Sequence, residues 1–287
     1  MADGRMPLPV ARSFGETGRR DLWWVQPVAV FLGFSTFIVY STWAACQNDH
    51  YTYGNYLSPM YSPALFFDPT PAAKTEQDGK RAKDQKAHTF FSVFEQRPTW
   101  LPAWIPFSAA FLILWAPGGF RFTCYYYRGA YYKAFWADPP NCAVGEPRKS
   151  YWGEHSLPLI IQNIHRYFLY FALLFILLLA YDAVQGFIFW TDTGKRFGIG
   201  VGSFVLLLNV ILLGSYTFGC HSFRHLIGGY RDQLAGAPTQ KKVYDCVSCL
   251  NSRHMLFAWC SLFWVGFSDV YVRLCSMGIW TDYRIVF

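Results

Sequence analysis

Charge is what this sequence has little of. Only 15% of its 287 residues are Asp, Glu, Lys or Arg, against about a quarter in a typical soluble domain. That scarcity excludes water as the solvent for most of its surface. With 53% hydrophobic and 20% aromatic residues, a disordered or collagen-like chain is excluded as well. Eight cysteines in this length are too sparse for a disulfide-rich mini-domain. No internal repeat, low-complexity tract or cleavable signal peptide is evident, because the first apolar run follows a polar-leaning arm and is long enough to span. Acids are fewer than bases, 18 against 25, for a formal charge of +7. In so apolar a chain that excess points to cytoplasmic loops and anionic lipid headgroups rather than nucleic acid.

What is present is a set of long uncharged runs. A helix crossing the hydrocarbon needs about 20 apolar residues, and five runs qualify, at 27–46, 100–120, 157–190, 197–223 and 255–280. The second is made irregular by Pro102, Pro106, Pro117 and Gly118-Gly119. The expected fold is therefore all-α: an integral bundle of five transmembrane helices, with residues 1–26 as a cytoplasmic arm and 27–287 as a single membrane domain. Lys and Arg number 14 on one side (the arm, 121–156 and 224–254) and 9 on the other. The positive-inside rule then puts the N-terminus in the cytoplasm and the C-terminus outside, in a plasma-membrane protein.

The long external loop, 47–99, divides into a Tyr-, Pro- and Ser-rich first half and a charged second half from Lys74 to His88, expected to be helical or mobile. The 121–156 loop mixes aromatics with bases, in Cys124-Tyr125-Tyr126-Tyr127-Arg128, Tyr131-Tyr132-Lys133 and Phe135-Trp136. That mixture suits an interfacial helix on the cytoplasmic surface or, more plainly, an aromatic belt.

Charges at bilayer depth are costly and normally face a partner in the protein interior. Asp269 and Arg273 are four apart, so they share a helical face and are expected to pair. Arg166 lies about 13 Å into its run at 1.5 Å per residue. Asp182 sits sixteen residues further on, out of its reach, so Arg166 either snorkels to the near surface or meets a cofactor, a quinone carbonyl or another helix.

Of seven histidines, His165, His221, His225 and His254 map to the cytoplasmic half under this topology. His221 and His225 share a helical face, with Cα atoms about 6 Å apart. Cys246-Val247-Ser248-Cys249 follows, and Cys220 adjoins His221. Two imidazoles with two thiolates form the ligand set of a Rieske-type [2Fe–2S] centre, each pair holding one iron, and imidazole ligation raises its potential. The Cys-x-His and Cys-x-x-His signature of the soluble Rieske proteins is missing, so the inference rests on donor chemistry. The same four donors suit zinc, and Cys220, His165 and His254 are alternate ligands. A disulfide between Cys246 and Cys249 is disfavoured by a reducing cytoplasm. Cys260 reads as a small core residue, and a Cys46–Cys275 disulfide is not expected. A b-type haem needs two axial histidines on facing helices, which His165 with His221, His225 or His254 could supply. The first two spans contain no histidine, so a second haem toward the outside has no ligands.

The Cys124–Trp136 segment, Asn163-Ile164-His165-Arg166-Tyr167-Phe168, Cys220-His221-Ser222-Phe223-Arg224-His225-Leu226-Ile227-Gly228-Gly229 and Asn251-Ser252-Arg253-His254-Met255 together resemble one family. It is the single-chain membrane anchor of actinobacterial succinate dehydrogenase, and the resemblance runs from about Trp100 to the C-terminus. It implies a subunit with no dehydrogenase chemistry of its own. Such an anchor holds an iron–sulfur subunit and a flavoprotein subunit on the cytoplasmic face, within a complex that can form a higher oligomer. It passes electrons to menaquinone or another quinone. Five-span relatives often carry two haems, which the histidine count here does not match. Some mycobacterial forms resemble a haem-free branch with a Rieske-type cluster in the membrane domain. The expected cluster ligands are His221, His225, Cys246 and Cys249, with haem b as the alternative. Arg166, Tyr167, Tyr127 and Trp152 are the candidate quinone residues. From a different class, a transporter with a structural zinc site would use Asp182, Asp269 and Arg273 to line a path.

Overall fold

The computed structural model describes residues 13–66, 89–94, 102, 108–148, 155–157, 159–191 and 194–287. The charged stretch expected from Lys74 to His88, and Trp152, lie outside the described residues.

Helix α1 is Val25–Gln47, followed by a hairpin of β1 (Thr52–Tyr53) and β2 (Tyr56–Leu57). A 3-10 turn at Pro59–Tyr61 comes next, opened by the Ser58 hydroxyl accepting from the Met60 amide. Strands β3 (Ala64–Phe66) and β4 (Thr89–Phe94) pair in parallel. Helices α2 (Ala109–Phe122) and α3 (Tyr125–Tyr131) come after them, α3 continuing into a π turn at Tyr132–Trp136. A 3-10 run at Leu159–Ile164 leads into α4 (His165–Gln185). Strands β5 (Ile188–Thr191) and β6 (Gly194–Gly200) precede α5 (Val201–Phe218). Helices α6 (His221–Gly228), α7 (Pro238–Ser252) and α8 (His254–Ser276) follow, and β7 (Arg284–Val286) closes the chain. The fold is mostly helical, but the small sheets correct the purely all-α expectation.

Four helices among the described residues are long and apolar enough to cross a membrane: Val25–Gln47, Ile160–Gln185, Val201–Phe218 and His254–Ser276. Their most apolar windows are only 17–44% buried within the chain. So much exposed apolar surface suits hydrocarbon as the surrounding solvent. Residues 100, 101 and 103–107 of the second expected span lie outside the described residues; the rest falls mainly in α2, whose 14 residues rise about 21 Å, against a hydrocarbon layer of ~30 Å. The fourth expected span ends earlier than its apolar run. Cys220 adopts an extended backbone (φ −68, ψ 142), so His221 and His225 begin a separate helix rather than finishing the span.

The chain divides into two compact units. In the first, whose described residues fall within 13–38 and 121–165, the aromatic segment packs as a core rather than only as a belt. Phe34 meets the Tyr127 ring at 5.0 Å and the Tyr131 ring at 5.6 Å, and Phe31 meets Phe135 at 5.0 Å. The N-terminal arm is zipped to the 138–148 stretch. The Gly15 amide donates to the Gly145 carbonyl at 3.0 Å and the Gly145 amide to the Glu16 carbonyl at 2.8 Å, Thr17 donates to the Ala143 carbonyl at 2.7 Å, and Arg19 donates to Asn141 and the Cys142 carbonyl.

The second unit holds residues 39–120 and 166–287. Its centre is α5 against α8. They run antiparallel, as fixed by Trp264 donating to the Val205 carbonyl at 3.0 Å and by the Tyr216–His254 stack. Buried residues recur at helical spacing on both: Val205, Leu206, Asn209 and Tyr216 on one, Ala258, Ser261, Leu262, Asp269 and Val272 on the other. Asp269 and Arg273 pair at 3.2 Å with both side chains buried, as their spacing requires. One end of the unit is capped by the sheet β5-β6-β7. Beside it, buried Asp282 accepts from Tyr56, Tyr271 and the Gly202 amide at 2.7–3.0 Å.

Candidate functional site

The histidines and cysteines lie on two consecutive helices that pack side by side, α6 and α7. Gly219 and Cys220 break the chain after α5, and the Gly219 carbonyl accepts from Asn251 at 2.7 Å. Pro238 starts α7 within its first turn, where a missing amide costs nothing. Gln240 donates to the Ile227 carbonyl at 2.5 Å, and the Arg224 guanidinium lies 4.8 Å over the Tyr244 ring. A Cβ at Gly228 would stand 2.7 Å from Tyr244, so only glycine permits this approach of the two helices.

On this frame His221 and His225 face each other with ring centroids 5.1 Å apart, both exposed. The spacing expected to bring two imidazoles together does so. Cys246 and Cys249 are exposed thiols three apart on α7, and Cys220 is a buried thiol at the start of α6. Among the described residues no group of three or more His, Cys, Asp or Glu side chains is placed to hold one metal ion. The imidazole pair therefore forms, and the thiols do not join it into the four-donor set a [2Fe–2S] cluster or a zinc ion needs. His254 is stacked on Tyr216 at 4.9 Å. Cys260, expected in the core, is exposed on α8.

A second polar site lies in the first unit, at the start of α4. His165 is buried, and its Nδ1 shares a hydrogen bond of 2.9 Å with the buried Thr123 hydroxyl. The Tyr125 ring meets it edge-on at 6.5 Å. Gln162, one 3-10 turn earlier, is 3% exposed, and its side-chain oxygen Oε1 has no hydrogen-bond partner among the described residues, an unmet acceptor that normally costs about 1–3 kcal/mol. Tyr127 is fully buried and its hydroxyl accepts from Arg121 at 2.9 Å. Burial pushes the Tyr127 phenol well above its usual range, against the opposing pull of Arg121. The Tyr131 phenol is raised by burial and by Tyr127 beside it.

Of the expected quinone residues, Tyr127 thus stands in a built polar environment, while Arg166 and Tyr167 are exposed on α4. Thr123 and Gln162 escaped the sequence reading, since neither belongs to a recognisable ligand pattern. Their one signal was position: Thr123 adjoins the Cys124 aromatic segment, and Gln162 precedes Asn163-Ile164-His165 by a single residue.

A family model for the actinobacterial succinate dehydrogenase subunit SdhC matches residues 25–278. Among solved structures, a chain of the Mycobacterium smegmatis Sdh1 complex in the apo form is similar, with 38% identity, a TM-score of 0.79 and coverage of 100% of this chain and 98% of that one. No curated protein matches. Nearly the whole chain carries the family's pattern in sequence and in fold, so it belongs to the actinobacterial SdhC family, the membrane subunits of succinate dehydrogenase.

Proposed function

We propose that this chain is the quinone-reducing anchor of its complex: it docks an iron–sulfur subunit and a flavoprotein subunit and passes their electrons to menaquinone or a related quinone. The observation that carries this reading is the similarity over the full chain to a subunit of an Sdh complex. The chain itself would contain no dehydrogenase chemistry. Quinone reduction needs an apolar setting, a donor for the quinone carbonyl and a route for protons. Thr123–His165, with Gln162 and Tyr127 in the same unit, offers buried polar groups of that kind and is the favoured headgroup site. Arg166, Tyr167 and Trp152 stay as candidates on sequence position.

For the redox group in the membrane domain, donor chemistry favours a Rieske-type [2Fe–2S] cluster on His221, His225, Cys246 and Cys249, with haem b on a histidine pair as the alternative. Either group would supply one-electron transfer. The side chains as they stand do not assemble the four-donor set, so no step of the reaction is routed through it. The orientation proposed is N-terminus cytoplasmic and C-terminus external, in the plasma membrane.

Two measurements on the purified complex test this. Succinate:quinone reductase activity is expected, reduced at least tenfold in His165→Ala while succinate oxidation by a soluble acceptor is retained. Iron content and the paramagnetic spectrum should lose one [2Fe–2S] centre in His221→Ala. A Soret band in the wild-type complex would decide for haem instead, and a colourless zinc-containing protein for the transporter class.

A further inference from the structure

Two carboxyl groups lie buried in the spanning helices of the second unit, Asp182 and Asp269, 6% and 0% exposed. Their surroundings differ in kind. Asp269 accepts from Tyr40 at 2.5 Å, from the Ser58 hydroxyl and from Arg273 Nε at 3.2 Å. A cation one helical turn away neutralises it, and Arg273 is itself held by the Asp49 carbonyl at 2.9 Å. Asp182 has one side-chain hydrogen bond, from the Ser62 hydroxyl to Oδ2, and it belongs to no ion pair among the described residues.

Among the described residues no Lys, Arg or His pairs with Asp182. Its carboxyl group is 6% exposed and accepts from the Ser62 hydroxyl, which is itself buried. The neighbouring Ala183 is covered by Tyr56, Phe189, Leu206 and Val272. The one titratable group among them, Tyr56, is engaged with Asp282 and Ser203. An ionised carboxylate isolated in an apolar interior costs far more than a carboxylic acid that keeps its proton. Ionisable groups at bilayer depth recur in proton pathways for that reason.

We propose that Asp182 is a proton-binding site of the membrane domain, with the Ser62 hydroxyl as its hydrogen-bond donor. Ser62 donates to Oδ2, which leaves Oδ1 to carry the proton. Asp269 is the fixed structural counterpart, paired with Arg273. The site is separate from the electron-transfer reading above and does not rest on it.

The test is infrared spectroscopy of the purified full complex at neutral pH, comparing light and heavy water. A protonated-carboxyl C=O stretch that shifts in heavy water and disappears in Asp182→Asn is expected. In Ser62→Ala the same band should move to higher frequency, because its hydrogen bond is gone. Asparagine keeps the volume and the bond from Ser62, so assembly should be preserved; if it is not, the Ser62→Ala shift decides alone. An Asp182→Asn spectrum identical to wild type, a band insensitive to heavy water, or no change in Ser62→Ala overturns the proposal.

Discussion

Arg273 donates to the Asp269 carboxylate one turn back and to two backbone carbonyls, of Asp49 and Ala44, with its guanidinium 5.3 Å from the Trp43 ring centroid. Truncating one member of a buried pair strands the other charge, at about 3–5 kcal/mol. Arg273→Ala should therefore lower the melting temperature of the solubilised complex far more than the double change Arg273→Leu with Asp269→Leu, which removes both charges together. Tyr127 is the residue to watch at alkaline pH. Its folded-state value lies above the ordinary ~10 of an unfolded tyrosine, so its stabilising contribution is complete below pH 10 and is lost as pH rises through the folded value. Phenolate absorbance should show a late-titrating tyrosine missing in Tyr127→Phe, and that variant should lose roughly 1 kcal/mol with the Arg121 bond. A simultaneous early titration of every tyrosine would contradict this burial.

At the scale of elements, the α6–α7 pair depends on Gly228 lying against Tyr244. Gly228→Ala should gain helix propensity yet lose more by forcing the ring away, a net cost of about 1–2 kcal/mol. Amide exchange across 238–252 should then rise while α5 and α8 stay protected. Unchanged exchange would mean that the two helices are not held by this contact. The fourth apolar run shows why sequence placed His221 and His225 on the wrong helix. Hydropathy continues unbroken to Phe223, and nothing in composition announces that Cys220 turns extended and restarts the helix. The i, i+4 spacing was legible all the same, because it holds within any helix that carries both residues. The aromatic segment was legible as a helix. That Phe31 and Phe34 would cover it was a long-range fact outside any local pattern.

For the whole molecule, the count of crossings fixes where the ends lie. Four long apolar helices and the shorter α2 are present among the described residues. If α2 crosses with the segment before it, the termini fall on opposite sides; if it does not, they share one. Reporter fusions at both ends, read in intact cells, should place the C-terminus outside and the N-terminus inside. Both ends reporting on the same side would reduce the count to four. Exposed Cys142, in the loop expected to be cytoplasmic, supplies an independent reading and should react with an impermeant maleimide only from the cytoplasmic side.

The sequence alone determined what local chemistry can determine: the membrane as solvent from sparse charge, the long spans from uncharged runs, the Asp269–Arg273 pair and the facing imidazoles from helical spacing, and the family from its motifs. Tertiary structure decided the rest, because contacts between residues far apart in the chain leave no periodic trace. It put Thr123 against His165, left Gln162 with an unmet acceptor, and zipped the arm to the 138–148 stretch. It also gave Asp269 an arginine and Asp182, among the described residues, only a serine.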